Sequence, residues 1–215
     1  MITSACRILP LHLKSVSGAY SRVRSAMVMR NRATMHSNTH SLQSQKMEAN
    51  MKTHDITIDE KEIQATNMQY EGTLEIKDSD FGKGLFALRD FHEGDLVMSA
   101  TAKQVTSTKN SHTVQTSWKS HALMDLPASL INHKCSANVG VKDNLKDCFD
   151  WYAMTHIPKG EELFADYETF EYEIQGFKCS CGSPVCRGTL RGFGLHKEQV
   201  LKQYDGIYIA SYLKE

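Results

Sequence analysis

Three cysteines lie within eight residues near the carboxyl end of the chain, in the pattern Cys179-x-Cys181-x4-Cys186. Thiols this crowded do not pair with one another in ordinary disulfides, but they suit a tetrahedral metal ion bound by thiolates. A tetrahedral ion needs a fourth ligand from elsewhere in the chain, and Cys135 is the candidate. The chain is therefore expected to fold back so that a distant cysteine meets the other three.

The amino-terminal part differs in composition from the rest. Residues 1–47 contain no Asp or Glu and carry seven Lys or Arg among eight serines, a composition typical of an organellar transit peptide. We predict a transit-like or disordered leader over 1–47 and a linker without regular structure over 48–69. Residues 48–215 keep 18 basic and 25 acidic residues, a net charge of about −7. This acidic body argues against direct nucleic-acid binding and suits a cationic partner such as a lysine-rich peptide.

Neither a membrane anchor nor a disulfide framework is expected. No apolar stretch approaches the roughly 20 residues that span a bilayer, so we predict a soluble protein with no membrane partner. Only Cys6 and Cys148 lie outside the four-cysteine set, too few for a disulfide scaffold. A reducing compartment with metal-bound thiolates is the better interpretation.

Short runs with strand-like composition dominate the rest of the chain. In the run at 148–156, Phe149, Trp151 and Ala153 alternate with polar neighbours, as expected for a strand buried on one face. Helical patterns are limited to a short segment near 126–131 and a stretch after residue 193 that Asp205-Gly206 is expected to break. We predict a mostly β, α+β fold without the βαβ rhythm of nucleotide-binding folds. The predicted strands are 73–76, 85–88, 95–100, 111–115, 139–142 and 148–156.

Four motifs follow one another along the chain, and each of them alone would be weak evidence for a protein family. Together they resemble the SET-domain protein-lysine methyltransferases with a post-SET zinc segment, over roughly residues 70 to 190. The motifs are Gly82-Lys83-Gly84-Leu85-Phe86-Ala87, Asn132-His133-x-Cys135, Glu161-Glu162-Leu163-x-x-Asp166-Tyr167 and the cysteine pattern.

The resemblance implies a fold and a division of the chain. The SET fold consists of several small sheets of short strands with a knot-like crossing near its carboxyl end. We therefore expect the SET domain at 70–173, a post-SET zinc segment at 174–192 and a helical tail at 193–215.

The resemblance also implies a reaction and the residues that carry it. The expected activity is transfer of a methyl group from S-adenosylmethionine to the ε-amine of a lysine in a histone or another protein. Tyr167 is the expected catalytic residue, beside the transferred methyl group. The expected cofactor-binding residues are Gly82, Lys83, Gly84, Asn132 and His133. A structural Zn²⁺ ion is expected on Cys135, Cys179, Cys181 and Cys186.

The sequence departs from the family pattern at a position close to the predicted catalytic tyrosine. Ala165 stands where many relatives carry Phe or Tyr, at a site that tunes how many methyl groups are added. The extra room is expected to admit a dimethylated substrate. The pattern does not identify the substrate protein.

Two alternatives stay open at this point. One is a catalytically silent SET-fold module that binds a basic peptide or protein partner. The other keeps only the metal cluster and treats the chain as an interaction protein, which leaves the other three motifs unexplained. We expect a monomer, and the compartment is either a mitochondrion or plastid, as the leader indicates, or the nucleus with its chromatin.

Overall fold

The structure, a computed structural model, describes residues 58–215. The predicted leader at 1–47 and the first part of the predicted linker, 48–57, lie outside the described residues. Among those described, no helix is both long enough and apolar enough to span a bilayer.

Helix α1 (Glu60–Gln69) opens the described part of the chain. The side chain of Asp59 caps it by accepting a hydrogen bond from the N–H of Lys61 at 3.1 Å, and Ile63 is buried in the hydrophobic core. The Asn67 side chain donates to the carbonyl of Ile76 and accepts from its N–H, at 3.0 and 2.7 Å. The prediction of a structureless linker over 48–69 is therefore wrong for Glu60–Gln69, because a capped helix packs onto the first strand there.

Short strands in small sheets make up most of the regular secondary structure of the described residues, as the sequence predicted. The sheets are β1–β2, β4–β6–β5, β11–β12 and a central sheet in the order β3–β9–β8–β10–β7. The strands are β1 (Leu74–Ser79), β2 (Gly82–Ala87), β3 (Leu96–Ser99), β4 (Ala102–Thr106), β5 (Thr113–Gln115), β6 (His121–Met124), β7 (Asn132–His133), β8 (Val139–Asp143), β9 (Phe149–Ala153), β10 (Phe164–Ala165), β11 (Phe177–Lys178) and β12 (Thr189–Leu190).

Strand β9 of the central sheet supplies two of the largest fully buried side chains of the core, Trp151 and Phe149. Strand β9 alternates as predicted, with Phe149, Trp151 and Ala153 fully buried and the residues between them partly exposed. It lies between β3 and β8, to both of which it is antiparallel. Strand β10 instead runs parallel to both β7 and β8. Parallel pairing joins segments that are distant in sequence, and here it places two of the predicted motifs side by side.

The chain ends in a helix and a short turn that pack onto the same core. Helix α2 (Phe193–Tyr204) stops where the sequence predicted, because Asp205 and Gly206 both adopt positive φ angles, 48° and 69°. A 3₁₀ turn, Ser211–Lys214, follows, and its Leu213 is buried. The predicted helix near 126–131 is also only a 3₁₀ turn, Ala128–Leu130.

Candidate active site

The parallel pairing of β7 with β10 forms the centre of the site. Asn132 lies opposite Phe164, and His133 lies opposite Ala165. The side chain of Asn138 extends this pairing, since its Oδ1 accepts from the N–H of Phe164 at 2.8 Å. The segment that carries the predicted Asn-His pair is thus held against the segment that leads into Tyr167.

Tyr167 contacts this pair through its backbone and its ring. Its N–H donates to Nδ1 of His133 at 3.3 Å, and the two rings are 5.1 Å apart between centroids. Its hydroxyl donates to the carbonyl of Ile131 at 2.9 Å. Burial raises the pKa of the Tyr167 phenol to about 12, so the hydroxyl keeps its proton at neutral pH.

His133 is neutral and its tautomer follows from its partners. Burial, with a smaller contribution from the positive charge of Arg187, lowers the pKa of His133 to about 4. Because Nδ1 accepts from the N–H of Tyr167, the ring proton lies on Nε2. Nε2 is 3.4 Å from Sγ of Cys135, to which it can donate. The imidazole therefore lies between the predicted catalytic tyrosine and a predicted metal ligand.

The Gly-Lys-Gly loop is tied to the same asparagine. Nδ2 of Asn132 donates to the carbonyl of Lys83 at 3.1 Å and to Oε1 of Glu162 at 2.8 Å. The ammonium of Lys83 points to carboxylates instead, at 3.2 Å from Glu60 and 3.0 Å from Asp78. Lys83 thus meets Asn132 through its backbone and not through its side chain.

The four predicted cysteines come together in one cluster. The Sγ atoms of Cys135, Cys179, Cys181 and Cys186 all lie within 4.8 Å of one another, with Cys135 and Cys179 at 3.9 Å. Zn–S bonds of about 2.3 Å in a tetrahedron put sulfur atoms roughly 3.8 Å apart, so the cluster fits a four-thiolate metal site. Burial raises the pKa of the Cys135 thiol, so a cation is the group that would hold it as a thiolate. The cluster could hold a metal ion.

Buried charged residues surround Tyr167, and sequence reasoning missed their role. Asp166 and Glu168 flank it, and both side chains have no exposed surface. Arg187 contacts both carboxylates, and the hydroxyl of Tyr204 donates to Asp166 at 2.9 Å. Burial raises the pKa of Asp166, and the charge of Arg187 opposes that shift. Nothing in the local sequence marks these residues, because Asp, Glu and Arg are usually exposed.

The family profile described as the SET domain matches residues 82–168. Residues 82–168 of this chain are a SET domain. The matched region contains the Gly-Lys-Gly loop, the Asn-His pair, Cys135 and Tyr167. Three of the cysteines and helix α2 lie beyond it.

Curated relatives resemble parts of the chain. The Saccharomyces cerevisiae histone-lysine N-methyltransferase, H3 lysine-36 specific, is 40% identical over 70 residues, covering 30% of this chain and 9% of that protein. Histone H3-lysine(4) N-trimethyltransferase ATX1 of Arabidopsis thaliana is 41% identical over 66 residues, covering 29% and 6%. Mouse histone-lysine N-methyltransferase SETD2 is 27% identical over 131 residues, covering 52% and 5%. The chain thus spans less than a tenth of each of these relatives.

A solved structure also resembles this chain. It is KRYPTONITE in complex with mCHG DNA and SAH, which is 20% identical, has a TM-score of 0.47 and covers 55% of this chain and 29% of that one.

The aromatic residues near the SET-domain site divide into two groups. Phe149, Trp151 and Phe170 are buried in the core, and the ring of Phe170 lies 5.8 Å from that of Tyr167. Tyr172 and Phe177 are about half exposed, and the ring of Phe177 meets that of His133 edge-on at 6.4 Å. Phe177, from the segment that carries the three clustered cysteines, is thus a half-exposed aromatic residue in contact with His133.

Proposed function

We propose that this chain is an S-adenosylmethionine-dependent protein-lysine N-methyltransferase that modifies a lysine of a histone or another protein. The observation that carries the proposal is the hydrogen bond from the N–H of Tyr167 to Nδ1 of His133, within a matched SET domain. It joins the backbone of the expected catalytic tyrosine to the expected cofactor-binding pair. The names of the curated relatives support the same reaction class.

The phenol of Tyr167 is suited to orient an amine. Its proton is committed to the carbonyl of Ile131, so the lone pairs of its oxygen are what it presents to another ligand. A lysine amine can donate an N–H to that oxygen and keep its own lone pair for attack. Since the phenol stays protonated, Tyr167 acts by alignment and not as a base.

The lysine must arrive without its proton. A side-chain pKa of about 10.4 makes the neutral amine cost about 4.6 kcal/mol at pH 7. A buried aromatic surrounding lowers that cost, because desolvation disfavours the ammonium form. No strong general base is therefore required.

The cofactor would supply the sulfonium methyl group when bound. We assign its binding to Gly82, Lys83, Gly84, Asn132 and His133. Both N–H groups of the Asn132 amide are used within the protein, which leaves Oδ1 to accept from the amino group of the ligand. The backbone of the Gly-Lys-Gly loop would lie against the same end of the ligand.

The metal ion would be Zn²⁺, held by Cys135, Cys179, Cys181 and Cys186. A site closed by four thiolates leaves no position for water, so its role is structural. Zinc binding of this kind contributes about 10 to 16 kcal/mol to the folding of a small module. We assign that contribution to the cysteine segment, residues 174–192, as a post-SET segment.

The acidic part of the protein, residues 48–215, suits a basic peptide substrate, and no contact with nucleic acid is needed for the reaction.

We propose a monomer that works either in a mitochondrion or plastid or at chromatin. Fluorescent fusions with and without residues 1–47 distinguish these compartments. Loss of the organellar signal in the shorter fusion supports a mitochondrion or plastid, and a nuclear signal from both fusions supports chromatin.

Calorimetric titration with S-adenosylmethionine tests the proposal. We expect saturable binding by the wild-type chain, clear weakening in Asn132→Ala and wild-type affinity in Asn110→Ala, which changes an exposed asparagine. A folded wild-type chain that binds no donor would contradict the proposal and favour a catalytically silent SET module.

A further inference from the structure

Tyr167 lies between two buried carboxylates. Asp166 precedes it and Glu168 follows it, and both side chains have no exposed surface. Asp166 also caps the 3₁₀ turn Tyr167–Thr169 by accepting from the N–H of Glu168 at 3.2 Å. Because each carboxylate is one residue from Tyr167, whatever holds the two carboxylates holds the backbone that presents the phenol.

One guanidinium holds both of them. Arg187 reaches Asp166 through an NH2 group, and its Nε lies 2.6 Å from Oε2 of Glu168. Its side chain is only 5% exposed. The other oxygen of Glu168 accepts from the N–H groups of Arg191 and Gly192 at 2.7 and 2.9 Å, at the start of helix α2. The cysteine segment and the turn of Tyr167 are thus joined through charged groups that water does not reach.

Arg187 directly follows Cys186, a member of the four-cysteine cluster. The segment near it has little core of its own: Cys179, Cys181 and Cys186 are all partly exposed, and Phe177 is about half exposed. The backbone position of Arg187 is therefore set largely by what holds Cys186. A metal ion on the four sulfur atoms would hold it.

We propose that Arg187 is a positioning residue that couples metal binding at the four cysteines to the placement of Tyr167. This inference rests on the proposed function and deepens it, because it states how a metal that takes no part in the chemistry controls the rate. When the metal is lost, Arg187 moves with Cys186, and both carboxylates lose its guanidinium. Asp166 then keeps the hydroxyl of Tyr204 at 2.9 Å, and Glu168 keeps Nδ1 of His196 at 2.8 Å and its two backbone N–H donors. Two such carboxylates are strongly unfavourable in a buried site, so the turn that carries Tyr167 rearranges.

Hydrogen exchange tests the coupling without any need for activity. In the wild-type chain, chelation of the metal should raise amide exchange in residues 164–170 by about tenfold, while the hairpin of β8 and β9 stays protected. In metal-loaded Arg187→Met, exchange in 164–170 should already be high, and chelation should add little. Arg191→Met is the matched control: it removes an exposed arginine of the same segment and should behave as wild type.

Methyl transfer adds a second readout. Arg187→Met should keep its metal and lose about 100-fold in kcat, which is the scale of a misplaced reacting group. Arg187→Lys should recover part of this loss, because lysine restores the positive charge but cannot contact Asp166 and Glu168 at once as the guanidinium does. It also serves as the test variant if Arg187→Met does not fold.

Three results would overturn the proposal: exchange in 164–170 that depends on metal as strongly in the folded Arg187 variant as in the wild type, wild-type kcat in that variant, or loss of the metal from it. The last would mean that Arg187 acts on the cluster and not on Tyr167. A wild-type chain that transfers no methyl group would contradict the proposed function instead, and the exchange experiment would still report on the coupling.

Discussion

The carboxylate of Glu162 fills the space beside Gly84, where a Cβ would lie 2.4 Å from Oε1. The same oxygen accepts from the Ser79 hydroxyl and from the amide of Asn132, both at 2.8 Å. A side chain at position 84 would therefore clash with Glu162 in the folded protein itself. The glycine allows a carboxylate to join the loop to the Asn-His segment.

Substitution of Gly84 by Ala should disturb this junction. The added methyl group must displace Glu162, so we expect a loss of about 1–3 kcal/mol in the free energy of unfolding and weaker donor binding. Denaturant unfolding and calorimetry measure the two effects.

The double variant Gly84→Ala/Glu162→Ala provides the control. Removal of the carboxylate relieves the closest contact of the new methyl group and leaves only the contact with Cβ of Ser79 at 2.9 Å, so the two losses of stability should be less than additive. Full additivity would mean that the contact between Gly84 and Glu162 does not limit this site.

Metal removal should destabilise the cysteine segment first. Chelation, or Cys181→Ser, is expected to lower the melting temperature and unfold residues near 177–192, with weaker binding of S-adenosylmethionine as a result. Cys148→Ser is the matched control, since Cys148 is a buried thiol outside the cluster and its variant should keep the full metal content. Unchanged donor affinity after complete chelation would contradict this account.

Residues near the end of the chain belong to the core. Leu213 is 2% exposed, so Leu213→Ala should cost about 2–5 kcal/mol in stability. Ile207 is 55% exposed, and Ile207→Ala should change stability by no more than about 0.5 kcal/mol. Equal effects in thermal unfolding would argue against the packing of this tail.

Product analysis tests the role of Ala165. Its small side chain is expected to leave room for a methylated amine, so mass spectrometry should detect products beyond monomethyl-lysine. Monomethyl-lysine alone, even after long reaction times, would count against this hypothesis.

The sequence predicted those parts of the fold that depend on strong local patterns. The alternation around Trp151 and the break at Asp205-Gly206 both appear where expected. Strand β4 was missed because its central residues are exposed and carry no alternation. Helix α1 was missed although Asp59 and Glu62 have the spacing of a helix start, because Ile63 is its one large buried apolar residue.

The candidate site likewise contains some features that the sequence predicted and others that it could not predict. The cluster of Cys135 with the three later cysteines followed from the demands of a tetrahedral ion. The ionic contacts of Arg187 could not be predicted, since burial of a charge depends on partners that only the folded chain brings together. The filling of the space beside Gly84 by Glu162 likewise depends on two segments that are distant in sequence.

Transfer of a labelled methyl group tests the central claim most directly. Purified wild-type chain and Tyr167→Phe are each incubated with labelled S-adenosylmethionine and a whole-cell protein extract, and the label in lysine is measured. We predict transfer by the wild type and a loss of about 100-fold in Tyr167→Phe, which keeps the ring but not the hydroxyl, with its melting transition retained. Equal labelling by the two proteins, or none by a wild type that carries its metal, would contradict the account.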